Sequence, residues 1–230
     1  MARRALPLGI FALALVLVPP PPAARAQAPR PTGKITGKVT VTETGGAPVA
    51  GAEVIVYVTG FEEPPAKTSV TIAQQGRRFV PDLVSITAGD RVAFPNNDPF
   101  LHNVFSQSST RKFDLGSYRR GEQKDKEFPA AGVVDVYCNI HPEMAATILV
   151  LPNRRHTRVG PDGRFTLDGV PPGTWTVFAY TRRASKPGSA AVTVTAGAES
   201  SVDLAVVRGA EVEHRNKYGA KYTGPGGTYR

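Results

Sequence analysis

The stretch GVVDVYCNIHPEMAATILVL, Gly132 to Leu151, decides how this chain folds. Apolar and polar residues alternate through VVDVYC, the period of a strand whose two faces meet different surroundings. Val134, Val136 and Cys138 fall on one face, Asp135 and Tyr137 on the other. A short loop stiffened by Pro142 follows, and then a second apolar run, ATILVL. Cys138, the only cysteine of the chain, ends the first strand and leads into that loop. His141 lies three positions beyond Cys138, and Met144 three beyond that, in the spacing C-x2-H-x2-M.

Strand signals continue on both sides of this stretch and helix signals are nearly absent. GKITGKVTVTETGGAPVAGAEVIVYV (Gly33 to Val58) alternates around a Gly-Gly-Ala-Pro turn and is expected to form a hairpin. VTI, LVSITAGDRVAF and HNVF precede the central stretch; GRFTLDGV, GTWTVFAY, AAVTVTAG and SSVDLAVV follow it, each bounded by Gly, Pro, Asn or Asp. The charged segment Arg111 to Glu127 is expected to be loop and edge strand. Many short, evenly punctuated strands predict an all-β protein of packed sandwiches. Glycines and prolines are placed similarly before Pro65 and after Arg158, so the block between them looks like an insertion within another domain.

At the N-terminus, MARR is a basic start, IFALALVLV (Ile10 to Val18) an apolar core and Ala24-Arg25-Ala26 a small-x-small cleavage site. Residues 1–26 are therefore expected to be a signal peptide, and the protein periplasmic or otherwise extracytoplasmic. No later run is apolar enough for a membrane span. Removing those residues leaves 204 of 230, and takes three arginines and no acid, so the charge falls from +9 to +6. That modest, scattered excess suits an acidic protein partner or an anionic surface, and without an aromatic-basic motif it argues against nucleic acid.

In an oxidising compartment cysteines normally come in even numbers as disulfides, so a lone Cys138 is buried filler, a reactive thiol or a metal ligand. A single buried cysteine, a single methionine and a single histidine are each ordinary core residues. Met144, however, is the only methionine outside the signal segment, and it shares one loop with Cys138. Upstream, FPNNDPFLHNVFS supplies His102, which must arrive from a neighbouring strand. A thiolate, two imidazoles and a thioether are a soft set that suits copper, with two His and one Cys in a trigonal plane and Met at long axial distance. Zinc favours four strong ligands, and an iron–sulfur cluster needs more thiolates. Asn103 and Asn139, each next to a ligand, are expected to hydrogen-bond between the two ligand loops.

These residues carry a resemblance. FVPDLVSITAGDRVAFPNNDPFLHNVF and AAGVVDVYCNIHPEMAATILVL resemble the two halves of the copper site of a cupredoxin, the blue-copper family of plastocyanin, azurin and amicyanin. The C-x2-H-x2-M spacing is most similar to the short ligand loop of amicyanin. The resemblance, over residues 65–151, implies a Greek-key β-sandwich holding one type 1 copper ion through His102, Cys138, His141 and Met144, with His141 as the route for electrons. The flanks, residues 33–60 and 156–207, resemble the two parts of a carboxypeptidase regulatory-like domain, an immunoglobulin-like or transthyretin-like sandwich. Proteins of this combined architecture resemble methylamine-utilisation or plastocyanin-like proteins.

His156 is expected in a solvated basic linker, and His214 in a polar, surface-draped C-terminal tail, residues 208–230. Nucleophile elbow, phosphate-binding loop, zinc-protease motif and H-x-H pairs are all missing, so the chain is not expected to be an enzyme. The leading expectation is an exported carrier of single electrons, serving a redox protein such as a cytochrome or dehydrogenase. The alternative is an envelope module that holds or delivers copper, or binds carbohydrate near Trp175 and Tyr180.

Overall fold

The computed structural model describes residues 31–210 and 213–222; the expected signal peptide lies outside them. The described chain is all-β. In order the strands are β1 (Gly33–Glu43), β2 (Ile55–Thr59), β3 (Ser69–Thr71), β4 (Ala73–Gln74), β5 (Phe79–Val80), β6 (Leu83–Thr87), β7 (Arg91–Pro95), β8 (His102–Ser106) and β9 (Phe113–Tyr118). They continue with β10 (Gln123–Glu127), β11 (Gly132–Cys138), β12 (Ala145–Leu151), β13 (His156–Arg158), β14 (Arg164–Val170), β15 (Gly173–Tyr180), β16 (Gly188–Val194), β17 (Glu199–Ser201) and β18 (Leu204–Arg208). No helix among the described residues is long and apolar enough to cross a membrane.

The central strands pack as one sandwich. A five-stranded sheet in the order β6-β12-β11-β8-β9 faces a three-stranded sheet, β10-β7-β3. Their inner faces share a core that includes Ile72, Phe94, Val104, Phe128, Val134, Val136, Ile148, Cys138 and Met144. The alternation read in VVDVYC is real: Val134, Val136 and Cys138 are buried, while Asp135 and Tyr137 are only partly covered. Arg111 to Glu127 forms two strands, β9 and β10, at the edges of the two facing sheets, where charged side chains can stay in water.

The flanking strands make a second sandwich. One sheet runs β14-β1-β17, with β18 also paired to β1, and the other β13-β2-β15-β16. Ile35, Val56, Val58, Phe165, Leu167, Val177, Leu204 and Val206 are part of its core. The hairpin expected over Gly33 to Val58 does not form, because β1 and β2 lie in different sheets. β1 is claimed by long-range partners, β14 on one side and β17 and β18 on the other. Thr42 and Pro48 keep only an isolated bridge across the Gly-Gly turn. The turn chemistry was genuine, but pairing with three later strands outweighed the local hairpin. Gly37 permits this: a Cβ there would run into the backbone carbonyl of Val202.

The chain leaves this second sandwich after β2 and returns at β13, and these two strands pair directly, His156 opposite Tyr57 and Arg158 opposite Ile55. Exit and re-entry therefore lie side by side. Ile55, Leu83, Leu149 and Leu151 form a third buried cluster between the sandwiches, with Tyr57 and Tyr180 packed against it. Arg182–Asp82 and Arg158 Nη2 to the Leu83 carbonyl cross the same junction. His156 is not in a solvated linker: it is half-buried, 2.9 Å from Ser85 Oγ, and burial lowers its affinity for a proton. Trp175 packs edge-on against Phe61 and donates Nε1 to the Pro171 carbonyl at 2.7 Å, so its ring is engaged internally.

Candidate metal centre

β8 and β11 run antiparallel with Cys138 in register with Val104. His102 opens β8 and Cys138 closes β11, so adjacent strands present both at one end of the sandwich. The β11–β12 loop then folds back on itself. Met144 N donates to the His141 carbonyl at 3.1 Å, and Cys138 N to the Met144 carbonyl at 3.2 Å. Asn139 N donates to the Asn103 carbonyl at 2.8 Å, tying the residue after Cys138 to the residue after His102.

His102, Cys138 and His141 form a triangle. Each Nδ1 lies 3.6 Å from Cys138 Sγ, and the two Nδ1 atoms are 3.1 Å apart. A point in the plane of such a triangle lies about 2.0 Å from all three atoms. Imidazole nitrogens hold first-row metals such as zinc at about 2.0 Å and thiolates at about 2.3 Å, so an ion fits there with almost no movement of the ligands. Among the described residues no other group of three His, Cys, Asp or Glu side chains is arranged to hold a metal. The fourth expected residue, Met144, is fully buried in the same core as Cys138.

The second nitrogen of His102 explains its orientation. Nε2 lies 2.9 Å from Asp98 Oδ2, and a carboxylate can only accept, so Nε2 carries the proton and Nδ1 turns a lone pair toward Cys138 and His141. Asp98 is itself held by the Gly76 and Arg77 amides, at 2.6 and 3.0 Å. Burial alone would raise the Asp98 carboxyl, but those bonds with Arg77, His102 and Gly76 outweigh it and leave it lowered. Phe100 lies edge-on to both imidazoles, with ring centroids 5.3 and 5.4 Å away, and the Arg77 guanidinium sits over Phe100.

Burial holds both imidazoles below the ordinary histidine range, with His102 adding to the effect on His141, so both are neutral donors near neutral pH. Burial also pushes the Cys138 thiol up, against the amides of Asn103, Ile140 and His141. Without a cation that thiol stays protonated; a metal ion supplies the charge that a buried thiolate requires. His102 and Cys138 are fully buried and His141 is 7% exposed.

The structure brings His102, Cys138 and His141 together, with His102 as the first residue of β8 rather than ahead of it, and adds Asp98 and Phe100, which the sequence reading did not single out. Both lie in the quoted NNDPFLH, and an acid four residues before a ligand histidine was the available signal. Asn103 and Asn139 do join the two ligand segments, though through their backbones; the side chain of Asn103 goes to Asp114 and that of Asn139 accepts from Lys217 N.

Among solved structures, the chain is similar to a purple cupredoxin from Nitrosopumilus maritimus, with 22% identity and TM-score 0.32 over 35% of this chain and 98% of that one. It is similar to amicyanin from Paracoccus versutus, with 23% identity and TM-score 0.33 over 41% of this chain and 96% of that one. A copper-containing nitrite reductase from Thermus scotoductus matches at 25% identity and TM-score 0.34 over 49% of this chain and 28% of that one. No family model and no curated protein matches the chain.

Proposed function

We propose that this chain is an exported copper protein that carries single electrons through a type 1 site made by His102, Cys138, His141 and Met144. The observation that carries the reading is the triangle of two neutral imidazole nitrogens and one thiol sulfur, sized for one ion and buried but for an edge of His141. Two imidazoles and a thiolate would hold a copper ion, and Met144, buried in the same core, would offer a soft thioether beside them. Zinc would call for a fourth strong ligand, and the nearby Asp98 is turned away, held by two amides and His102 Nε2.

A bound copper ion supplies one-electron redox chemistry. The chain's own part is to keep the donors still and dry. His102 is locked by Asp98, Cys138 and Met144 by the loop's backbone bonds, and both imidazoles by Phe100. Of the three donors only His141 has measurable exposure, so its edge is the route by which a redox partner, such as a cytochrome or dehydrogenase, would exchange electrons. In this reading residues 1–26 are removed on export to the periplasm. Residues 65–151 are the copper domain, set within a carboxypeptidase regulatory-like sandwich of residues 33–60 and 156–207. Free-standing enzyme activity is not part of the proposal.

The test is metal content followed by voltammetry. One copper per chain with a reversible one-electron wave is expected. One tightly held copper that gives no reversible wave would overturn the carrier reading and leave a protein that stores or delivers the metal.

A further inference from the structure

The geometry points to a role for the C-terminal segment Glu213 to Tyr222: it is a clamp that fixes the two ligand-bearing strands against each other, with Lys217 and Tyr222 as positioning residues. This rests on reading His102, Cys138 and His141 as one metal site. The need for a clamp is visible in the sheet. The ladder between β8 and β11 spans only Tyr137 opposite Phe105 and Cys138 opposite Val104. On its other side β8 pairs with β9 through an irregularity between Asn103 and Phe105. Two short or broken ladders are a weak way to hold His102 and Cys138 to the fraction of an ångström that a rigid site demands.

The segment supplies what the ladders lack. Its centre is a self-contained turn around Asn216, which is 3% exposed. Asn216 Oδ1 accepts from the amides of Tyr218 and Ala220, and Asn216 N donates to the Ala220 carbonyl at 2.9 Å. Gly219, at φ +80°, provides the left-handed residue that closes it.

The turn aims Lys217 at both ligand strands. Lys217 N donates to Asn139 Oδ1 at 3.0 Å, gripping the residue after Cys138. Lys217 Nζ pairs with Asp114 Oδ2 at 2.7 Å, while Asp114 Oδ1 accepts from Asn103 Nδ2, the residue after His102. The Lys217 carbonyl accepts from Gln107 just beyond β8. Further along, Tyr222 Oη donates to the Cys138 carbonyl at 2.8 Å, so both backbone polar groups of Cys138 are bonded. His214 stacks on Tyr137, with centroids 4.1 Å apart and planes 12° from parallel, and Tyr222 meets the His214 ring edge-on. Tyr137 is on the outer face of β11, directly before Cys138 on the inner face. The clamp therefore covers the strand behind the sulfur. A tail merely resting on the surface would have no reason to bond Asn139 directly and to reach Asn103 through Asp114.

The test uses the full chain with three substitutions. Asn216→Ala dismantles the turn, Lys217→Met removes the ammonium group, and Tyr222→Phe removes one hydroxyl with almost no change in shape. Lys221→Ala, an exposed position of the same segment, is the control. The first readout needs no metal: the rate at which a small thiol reagent labels Cys138 in the metal-free protein, far from unfolding. Labelling is expected to rise about tenfold in Asn216→Ala and Lys217→Met, the change that loss of one net hydrogen bond makes to a local opening. The second is the cupric/cuprous equilibrium of the loaded protein against a reference couple. It is expected to shift about three- to tenfold in Tyr222→Phe, the tenfold end being about 59 mV for one electron.

Wild-type labelling and an unmoved redox equilibrium in all three variants would overturn the clamp, whatever happens to their unfolding midpoints. A wild-type chain that binds no copper would instead sink the metal reading, and the labelling rates would still decide whether the segment secures Cys138.

Discussion

The Asp98 carboxylate offers a graded test of how the site is built. It is buried and accepts three hydrogen bonds, from the Gly76 amide at 2.6 Å, the Arg77 amide at 3.0 Å and His102 Nε2 at 2.9 Å. Asp98→Ala removes all three and strands the donors in a nearly dry corner. At about 1–1.5 kcal/mol net for each bond, the fold should lose about 3–5 kcal/mol. The imidazole also loses the acceptor that keeps its proton on Nε2, so the lone pair on Nδ1 is no longer guaranteed. Loss of such a partner to a ligand histidine typically lowers metal affinity about 10–100-fold. Asp98→Asn should do less. Its one oxygen can take the Oδ2 place and accept from both Arg77 and His102, while its NH2 loses the Gly76 bond and must turn aside from that amide, and affinity should fall less than about tenfold. Competition with a chelator of known cupric affinity, beside denaturant unfolding, reads both quantities. If Asp98→Asn and Asp98→Ala lowered affinity equally, the hydrogen-bond account would be refuted and the negative charge itself would be the requirement.

Other perturbations test the frame around the site. Arg155 forms a two-pronged pair with Glu63, Nη2 to Oε1 at 2.6 Å and Nε to Oε2 at 3.1 Å, and Glu63→Gln should cost about 1–3 kcal/mol at neutral pH. Burial would raise the Glu63 carboxyl, but the bonds from Arg155 and Arg154 leave it below its ordinary value of 4.5. Its stabilisation is therefore complete above that pH and is lost as pH falls through the lowered folded value, so the melting curves of wild type and Glu63→Gln should converge in acid; a constant gap down to full protonation would contradict this. Leu149→Ala, in the cluster between the sandwiches, should cost about 2–5 kcal/mol by denaturant titration, and a loss below about 1 kcal/mol would show that the junction is loosely packed. Gly37→Ala should separate β1 from the Val202 backbone and lower the melting temperature by several degrees, whereas an unchanged melt would mean that β1 shifts at little cost.

What could be read from the sequence was whatever rests on local period and donor chemistry. Val134, Val136 and Cys138 share a buried face because alternation is an intrinsic property of a strand. The convergence of His102 on Cys138 and His141 followed from the donor types, though not from any local signal. Long-range choices were not legible. The Gly-Gly turn after β1 looked like a hairpin, and only the later arrival of β14, β17 and β18 took β1 into another sheet. His156 looked solvated because its neighbours are basic, yet β13 pairs with β2 and brings it beside Ser85. The grip of Lys217 on Asn139 and Asp114 joins positions 78 and 103 residues apart and leaves no periodic trace.

In the proposed function, Cys138 has no disulfide partner because it serves a metal ion. This is tested most directly by titrating cupric ion into the purified protein and into Cys138→Ser while recording the visible spectrum. An intense thiolate-to-copper absorption is expected, saturating at one equivalent in the wild type and missing in Cys138→Ser. A colourless wild-type protein whose Cys138 thiol stays free to react at saturating copper would contradict it.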